Sequence, residues 1–185
     1  MKQWKTLSKK MVLDFGRFLS VEKHTIELPG GKIIDNWPWV IAPDFVDVVA
    51  LGGEDKFLCF RQTKYAIEGV SLAPIGGYIE PGEDALAAAK RELLEETGYL
   101  SNEWVHLGTF PVDANRGCGN GHFFLARDAR KVANSSKDDL EEQNLVLLTR
   151  QEVDEAISHG EFRILSWVLA LSLALRFLDN ERKKG

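Results

Sequence analysis

Residues 84–97 form the clearest periodic stretch of the chain: at about 100° per residue, Leu86, Ala89 and Leu93 fall on one face while Glu92, Glu95 and Glu96 gather within one turn on another. The stretch has no internal Gly or Pro and is followed by Gly98, so it reads as a helix with a natural stop. Residues 45–51 and 56–61 are apolar runs joined by Gly52-Gly53-Glu54-Asp55, which predicts two paired strands, and a third extended segment approaches Gly76-Gly77. Beyond the helix, strands are expected at 104–110, 122–126 and 145–149, then helices at about 150–159 and 163–178. Upstream, residues 10–40 are rich in β-branched and aromatic side chains and are punctuated by Leu28-Pro29-Gly30-Gly31, the pattern of a hairpin or small sheet. Strands and helices mixed in this order predict an α/β (α+β) layered domain over residues 44–185, with a β-rich lobe at residues 1–43.

Composition narrows the choice. Hydrophobic residues at 44% and charged residues at 28% supply a core without staples. The formal charge of −5 gives no general attraction for nucleic acid polymers or anionic lipid, so a phosphate ligand must be held locally or through a metal ion. Cys59 and Cys118 are too few for a disulfide framework or a zinc site, and residues 1–13 lack the apolar run of a secretory signal, so a reducing cytoplasmic location is expected. The most apolar segment, 164–178, is interrupted by Ser166, Ser172 and Arg176 and is short of the ~20 residues that cross a bilayer. It is expected to be a buried helix, with no membrane partner.

Three glutamates on one helical turn repel one another by a few tenths of a kcal/mol per pair, roughly, so the helix's own stability does not explain them. A hard divalent cation would, Mg²⁺ first and Mn²⁺ second, bridging carboxylates to substrate phosphates. Ala85 and Ala88 are expected on the acidic side, leaving room for a ligand, and Glu83 at the positive end of the helix. A solvated acidic face is the ordinary explanation of such a run. The wider spacing overturns it: residues 77–99 fit G-x5-E-x7-R-E-U-x-E-E-x-G-U with U a bulky apolar residue, through Gly77, Glu83, Arg91, Glu92, Leu93, Glu95, Glu96, Gly98 and Tyr99. Seven fixed identities at roughly one in fifteen each arise by chance less than about once in a million.

This segment resembles the Nudix box of the Nudix hydrolases, and the order of elements from Phe45 onward is similar to that family's α/β/α sandwich with a mixed sheet. The resemblance implies Mg²⁺ ions held by Glu92, Glu95 and Glu96, with Arg91 orienting the glutamates, Gly77 shaping the loop ahead of the helix, and the Gly76 carbonyl joining the metal shell. It implies attack of water on a pyrophosphate within a nucleoside diphosphate linked to another group. Many members take a general base from a loop beyond the box. Within Asp138-Asp139-Leu140-Glu141-Glu142 we favour Glu142, then Glu141; a solvated turn fits that run equally well, and Glu95 is a third choice.

The N-terminal lobe, with Arg61-Gln62 on the second core strand, is similar to the ADP-ribose pyrophosphatase branch and its nucleotide-sugar relatives, whose lobe pairs two subunits. That implies a homodimer, with Trp37 and Trp39 stacking on the base and Arg61 on the diphosphate; packing at an interface or core is the competing role for the tryptophans. Fifteen residues past the box, where ADP-ribose enzymes carry proline, this chain has Ala114, so nucleotide sugars stand beside ADP-ribose as expected substrates. Residues 112–122 read as a glycine-rich loop in which Arg116 reaches a phosphate or terminal ribose, or as a plain hairpin. His122 is expected to be a strand residue, and Cys118 has no base partner. The alternatives are a hydrolase of dinucleotide coenzymes or dinucleoside polyphosphates, and a Nudix-like domain that senses a nucleotide without cleaving it.

Overall fold

The computed structural model describes residues 1–135 and 142–184. In chain order the elements are β1 (Lys5–Asp14), β2 (Ser20–Glu27), β3 (Ile33–Ile41), β4 (Phe45–Leu51), β5 (Phe57–Lys64), β6 (Ile67–Ala73), β7 (Ile75–Tyr78), α1 (Ala85–Thr97), β8 (Tyr99–Leu100), β9 (Glu103–Asp113), β10 (Gly117–Arg127), β11 (Arg130–Lys131), β12 (Gln143–Leu148), α2 (Arg150–Ser158) and α3 (Leu165–Arg182). The chain forms two compact units, Met1–Asp44 with Phe110–Gly121, and Phe45–Thr109 with His122–Gly185.

In the N-terminal unit β1, β2 and β3 form an antiparallel meander, with residues 28–32 turning between β2 and β3. The strand β1 begins at Lys5, earlier than the sequence suggests, and every one of its ten residues is exposed. The stretch 112–122 is a hairpin. Only residues 114–116 lie between β9 and β10, because the Asp113 carboxylate accepts from the backbone N–H groups of Asn115 at 2.7 Å and Arg116 at 2.9 Å and closes the turn. Its glycines are steric: Gly117 and Gly119 have φ of 87° and 77°, and a Cβ on either would lie 2.7 Å from the carbonyl oxygen of Val40 or Pro43.

In the second unit the strand order is β10-β4-β5-β12, with β9 on β10, β7 on β4 and β6 on β5. β4 pairs with β7 along Phe45–Val48 and with β5 only at Ala50 and Leu51, so its first half is given to the strand that leads into the box. β4 is buried on both faces, which explains why it reads as an apolar run interrupted only by Asp47. Val46, Val48 and Ala50 meet α1 through Ala88, Ala89 and Leu93, while Val49 and Leu51 pack with Ala170, Leu171 and Ala174 of α3. This is an α/β/α sandwich around a mixed sheet. Among the described residues no helix is long and apolar enough to cross a membrane. The extended residues before α3 lie along β6: Leu72 N–H donates to the Glu161 carbonyl at 2.9 Å, and Phe162 bridges Leu72 in parallel.

Candidate active site

The helix that carries the acids is fixed at both ends by its own residues. Asp84, at the N-cap, accepts from Leu86 N–H at 2.9 Å and Ala87 N–H at 3.2 Å, and Gly98 ends the helix in the left-handed region at φ 74°. Glu83 therefore does not serve the helix end. It binds Arg91 in a fork, Nε to Oε1 at 2.9 Å and Nη2 to Oε2 at 3.0 Å, and Arg91 holds its carboxyl below the usual range. Nor does Ala88 leave space for a ligand: it is fully buried, packed with Ala89 and Leu93 on the sheet. The acidic face is narrower than the spacing suggests.

Arg91 is the hub of that face. Its Nη1 donates to Glu92 Oε1 at 2.7 Å and Glu95 Oε2 at 3.2 Å, and its Nη2 also reaches the Tyr78 carbonyl at 3.1 Å. These carboxylates, Glu83 foremost, raise the guanidinium above its ordinary value. Among the described residues no three His, Cys, Asp or Glu side chains converge as a metal cage, since the guanidinium itself sits between Glu92 and Glu95. The donor set still suits a hard divalent ion: it is all carboxylate, and it already gathers positive charge.

Gly76 and Gly77 lie in β7 rather than in a loop, and each makes room for a glutamate. A Cβ on Gly77 would sit 2.3 Å from Glu92 Oε1, so the carboxylate lies directly over the glycine. Gly76 N–H donates to Glu96 Oε2 at 3.2 Å. Gly77→Ala should therefore displace Glu92 and lower turnover by about 10- to 100-fold with little loss of melting temperature; unchanged turnover would show that Glu92 is free to move aside.

One buried acid lies beneath this arrangement. Asp47 is 4% exposed and stands opposite Gly76 in the β4–β7 ladder, and burial pushes its carboxyl up to about 7 while a hydrogen bond with Ser166 pulls it down. The sequence signal was a lone carboxylate inside an apolar strand. Because the folded value lies above the unfolded 3.8, its contribution to stability is complete below that value and is lost as pH rises through 7. Asp47→Asn should remove a slope of up to about 1.4 kcal/mol per pH unit. Denaturant midpoints of parent and variant that keep a constant difference over this interval would overturn that expectation.

Arg61, on β5, is half-exposed and 3.7 Å from Glu161. Glu142 is exposed immediately before β12, whereas Asp138, Asp139 and Glu141 lie outside the described residues. Trp37, Trp39 and Arg116 belong to the N-terminal unit. Trp37 Nε1–H donates to the Asn115 carbonyl at 2.7 Å and its ring meets Trp4 edge-on, Trp39 stacks on His24 at 5.5 Å, and Arg116 lies 3.6 Å from Asp113. His122 lies in β10, hydrogen-bonded to Thr109.

The family model described as the NUDIX domain matches residues 43–168. The chain belongs to the Nudix family. An ADP-ribose pyrophosphatase of Bacillus subtilis (strain 168) is 27% identical over 159 residues, 86% of this chain and 84% of that protein. A methanol dehydrogenase activator of Bacillus methanolicus is 28% identical over 155 residues, 84% and 82% of the two chains. In fold, this Nudix hydrolase is similar to a crystal structure of an ADP compounds hydrolase, with a TM-score of 0.83 and 21% identity over 98% of this chain and 97% of that one.

Proposed function

We propose that this Nudix hydrolase cleaves the pyrophosphate of ADP-ribose or a nucleotide sugar in a Mg²⁺-dependent reaction. The observation that carries the reading is the Arg91 hub, which holds Glu83, Glu92 and Glu95 in one cluster while Glu96 is tied to the Gly76 backbone. The Bacillus subtilis relative supports the substrate class.

Glu92, Glu95, Glu96 and the Gly76 carbonyl would hold the ion. In a strand the N–H and C=O of one residue leave by the same edge, so the Gly76 carbonyl opens toward the side where its N–H meets Glu96. A divalent ion held there would supply charge neutralisation for the phosphates and would acidify the attacking water. Glu142 takes the proton from that water. The P–O bond of the anhydride bridge breaks, leaving a nucleoside monophosphate and a second phosphomonoester. Arg61 and Arg116 neutralise the diphosphate or reach the terminal sugar, and Trp37 and Trp39, already fixed by partners within their unit, offer ring faces to the base. Phosphate release, after coupling to a phosphatase, from a panel of ADP-ribose, nucleotide sugars, NADH and dinucleoside polyphosphates tests this. Turnover of one compound well above the rest, abolished by EDTA, supports it; silence across the panel with tight nucleotide binding would turn the reading to a sensor.

The same reading includes a cytoplasmic homodimer. Leu7, Met11, Val12 and Leu13 are exposed along β1, and so are Phe15 and Phe18 just beyond it, more apolar surface at a strand edge than a solitary chain would keep. The protein should sediment as a dimer that Leu13→Lys weakens; a monomeric parent at micromolar concentration would sink this part of the proposal.

A further inference from the structure

Gly76 has the most demanding place in the site and the least means of keeping it. It has no side chain, its strand is four residues long, and β7 pairs with β4 alone among the described strands. Yet its N–H must meet Glu96 at 3.2 Å. Two groups of β4 lie against its Cα: a Cβ on Gly76 would come within 2.4 Å of the Val46 carbonyl oxygen and within 2.8 Å of Asp47 Oδ1, the one side chain among its nearest contacts. The Val46 carbonyl and the Asp47 carboxyl group together fill the volume that a side chain at position 76 would otherwise occupy.

Asp47 is in turn held from the other side. It hydrogen-bonds to Ser166, in the first turn of α3, and that helix has no side-chain cap at Ile164. A carboxyl group near an uncapped helix N-terminus is favourably placed by the helix dipole. Its other oxygen, Oδ2, is buried with no hydrogen-bond partner among the described residues. A buried orphan acceptor destabilises the fold, and an apolar side chain in the same strand would avoid that cost. Stability of the fold does not account for an acid at this position.

We propose that Asp47 is a positioning residue for the glutamate cluster, its buried carboxyl group backing the Gly76 peptide so that the N–H, and with it the carbonyl, stays turned toward Glu96. Support runs from α3 through Ser166 to Asp47, from Asp47 to Gly76, and from Gly76 to Glu96. The inference rests on the proposed metal site for its consequence, but its first link is readable without any metal.

The test uses the full chain labelled with ¹⁵N-glycine and follows exchange of the Gly76 amide by NMR, together with Mn²⁺ binding by calorimetry. In Asp47→Ala the Gly76 amide should exchange at least about tenfold faster while that of Gly98 is unchanged, and the Mn²⁺ dissociation constant should rise about 10- to 100-fold. Asp47→Asn, of the same shape, should bring both back to within about threefold of the parent. A variant Asp47→Ala that melts earlier but keeps the parent's Gly76 exchange would reduce Asp47 to a structural residue and overturn the proposal, as would an Asp47→Asn that restores nothing. If Asp47→Ala does not fold, Ser166→Ala decides: it removes the hydrogen bond that aims the carboxyl, and unaltered Gly76 exchange there overturns the proposal too. A parent that binds no Mn²⁺ would remove the metal reading alone, since the exchange data would still decide the role of Asp47.

Discussion

Glu96→Gln is expected to lower turnover by about 100-fold or more while the melting temperature stays within a few degrees of the parent's. The glutamine keeps an oxygen with which to accept the Gly76 N–H, so the local geometry has no reason to change. What it loses is a negative charge from a helical turn that holds three. Removing that charge relieves like-charge repulsion on the helix, which is why the fold should not suffer. Glu95→Gln should behave similarly, although its side chain is half-exposed and meets Arg91 through a single 3.2 Å contact. Steady-state turnover beside thermal melting separates the two effects, and near-parent turnover in both variants would refute the assignment of the glutamate cluster to catalysis.

Arg91→Ala should damage both quantities. The guanidinium makes a forked pair with Glu83 and hydrogen bonds to Glu92, Glu95 and the Tyr78 carbonyl, so its removal takes a neutralising cation from three carboxylates and loosens the segment between β7 and α1. Because the pair is partly screened by solvent, the loss of stability should be about 1–3 kcal/mol, with turnover down about 100-fold. Arg91→Lys keeps the charge but not the fork, and should recover only part of either. A second consequence distinguishes this account from simple packing: an added divalent cation should raise the melting temperature of Arg91→Ala more than that of the parent, because it restores the missing positive charge. Equal shifts would show that the carboxylates do not depend on Arg91 for neutralisation.

The parts of this molecule that were legible in its sequence are those where one physical signal dominates. β4 and α1 were readable because two-sided burial makes an apolar run, and because 84–97 combines helix formers with a glycine stop. The cluster was readable because its identities recur at fixed spacing. Details set by competition between neighbours were not. Glu83 and Asp84 are adjacent acids, and only the fold shows that the second caps the helix while the first binds an arginine eight residues on. Ala88 follows the same helical period as the acids, yet the width of the buried stripe takes it into the core. The glycines of 117–119 look like freedom for an anion and are instead clearance for the carbonyls of Val40 and Pro43. Asp47 needs a partner 29 positions along, Gly76, before its placement makes sense.

The extended residues ahead of α3 have a meaning beyond packing. By giving the Glu161 carbonyl to Leu72 and laying Phe162 beside it, the chain occupies an outer rim of β6 that would otherwise offer unsatisfied peptide groups to any passing strand. Ser71 strengthens the closure, its hydroxyl donating to the Glu161 carbonyl at 2.9 Å and accepting from Arg163 N–H at 3.2 Å. A chain cut short after Gly160 would thus lose its guard against runaway sheet extension as well as a helix, and its characteristic failure would be insoluble aggregate rather than a weakened enzyme.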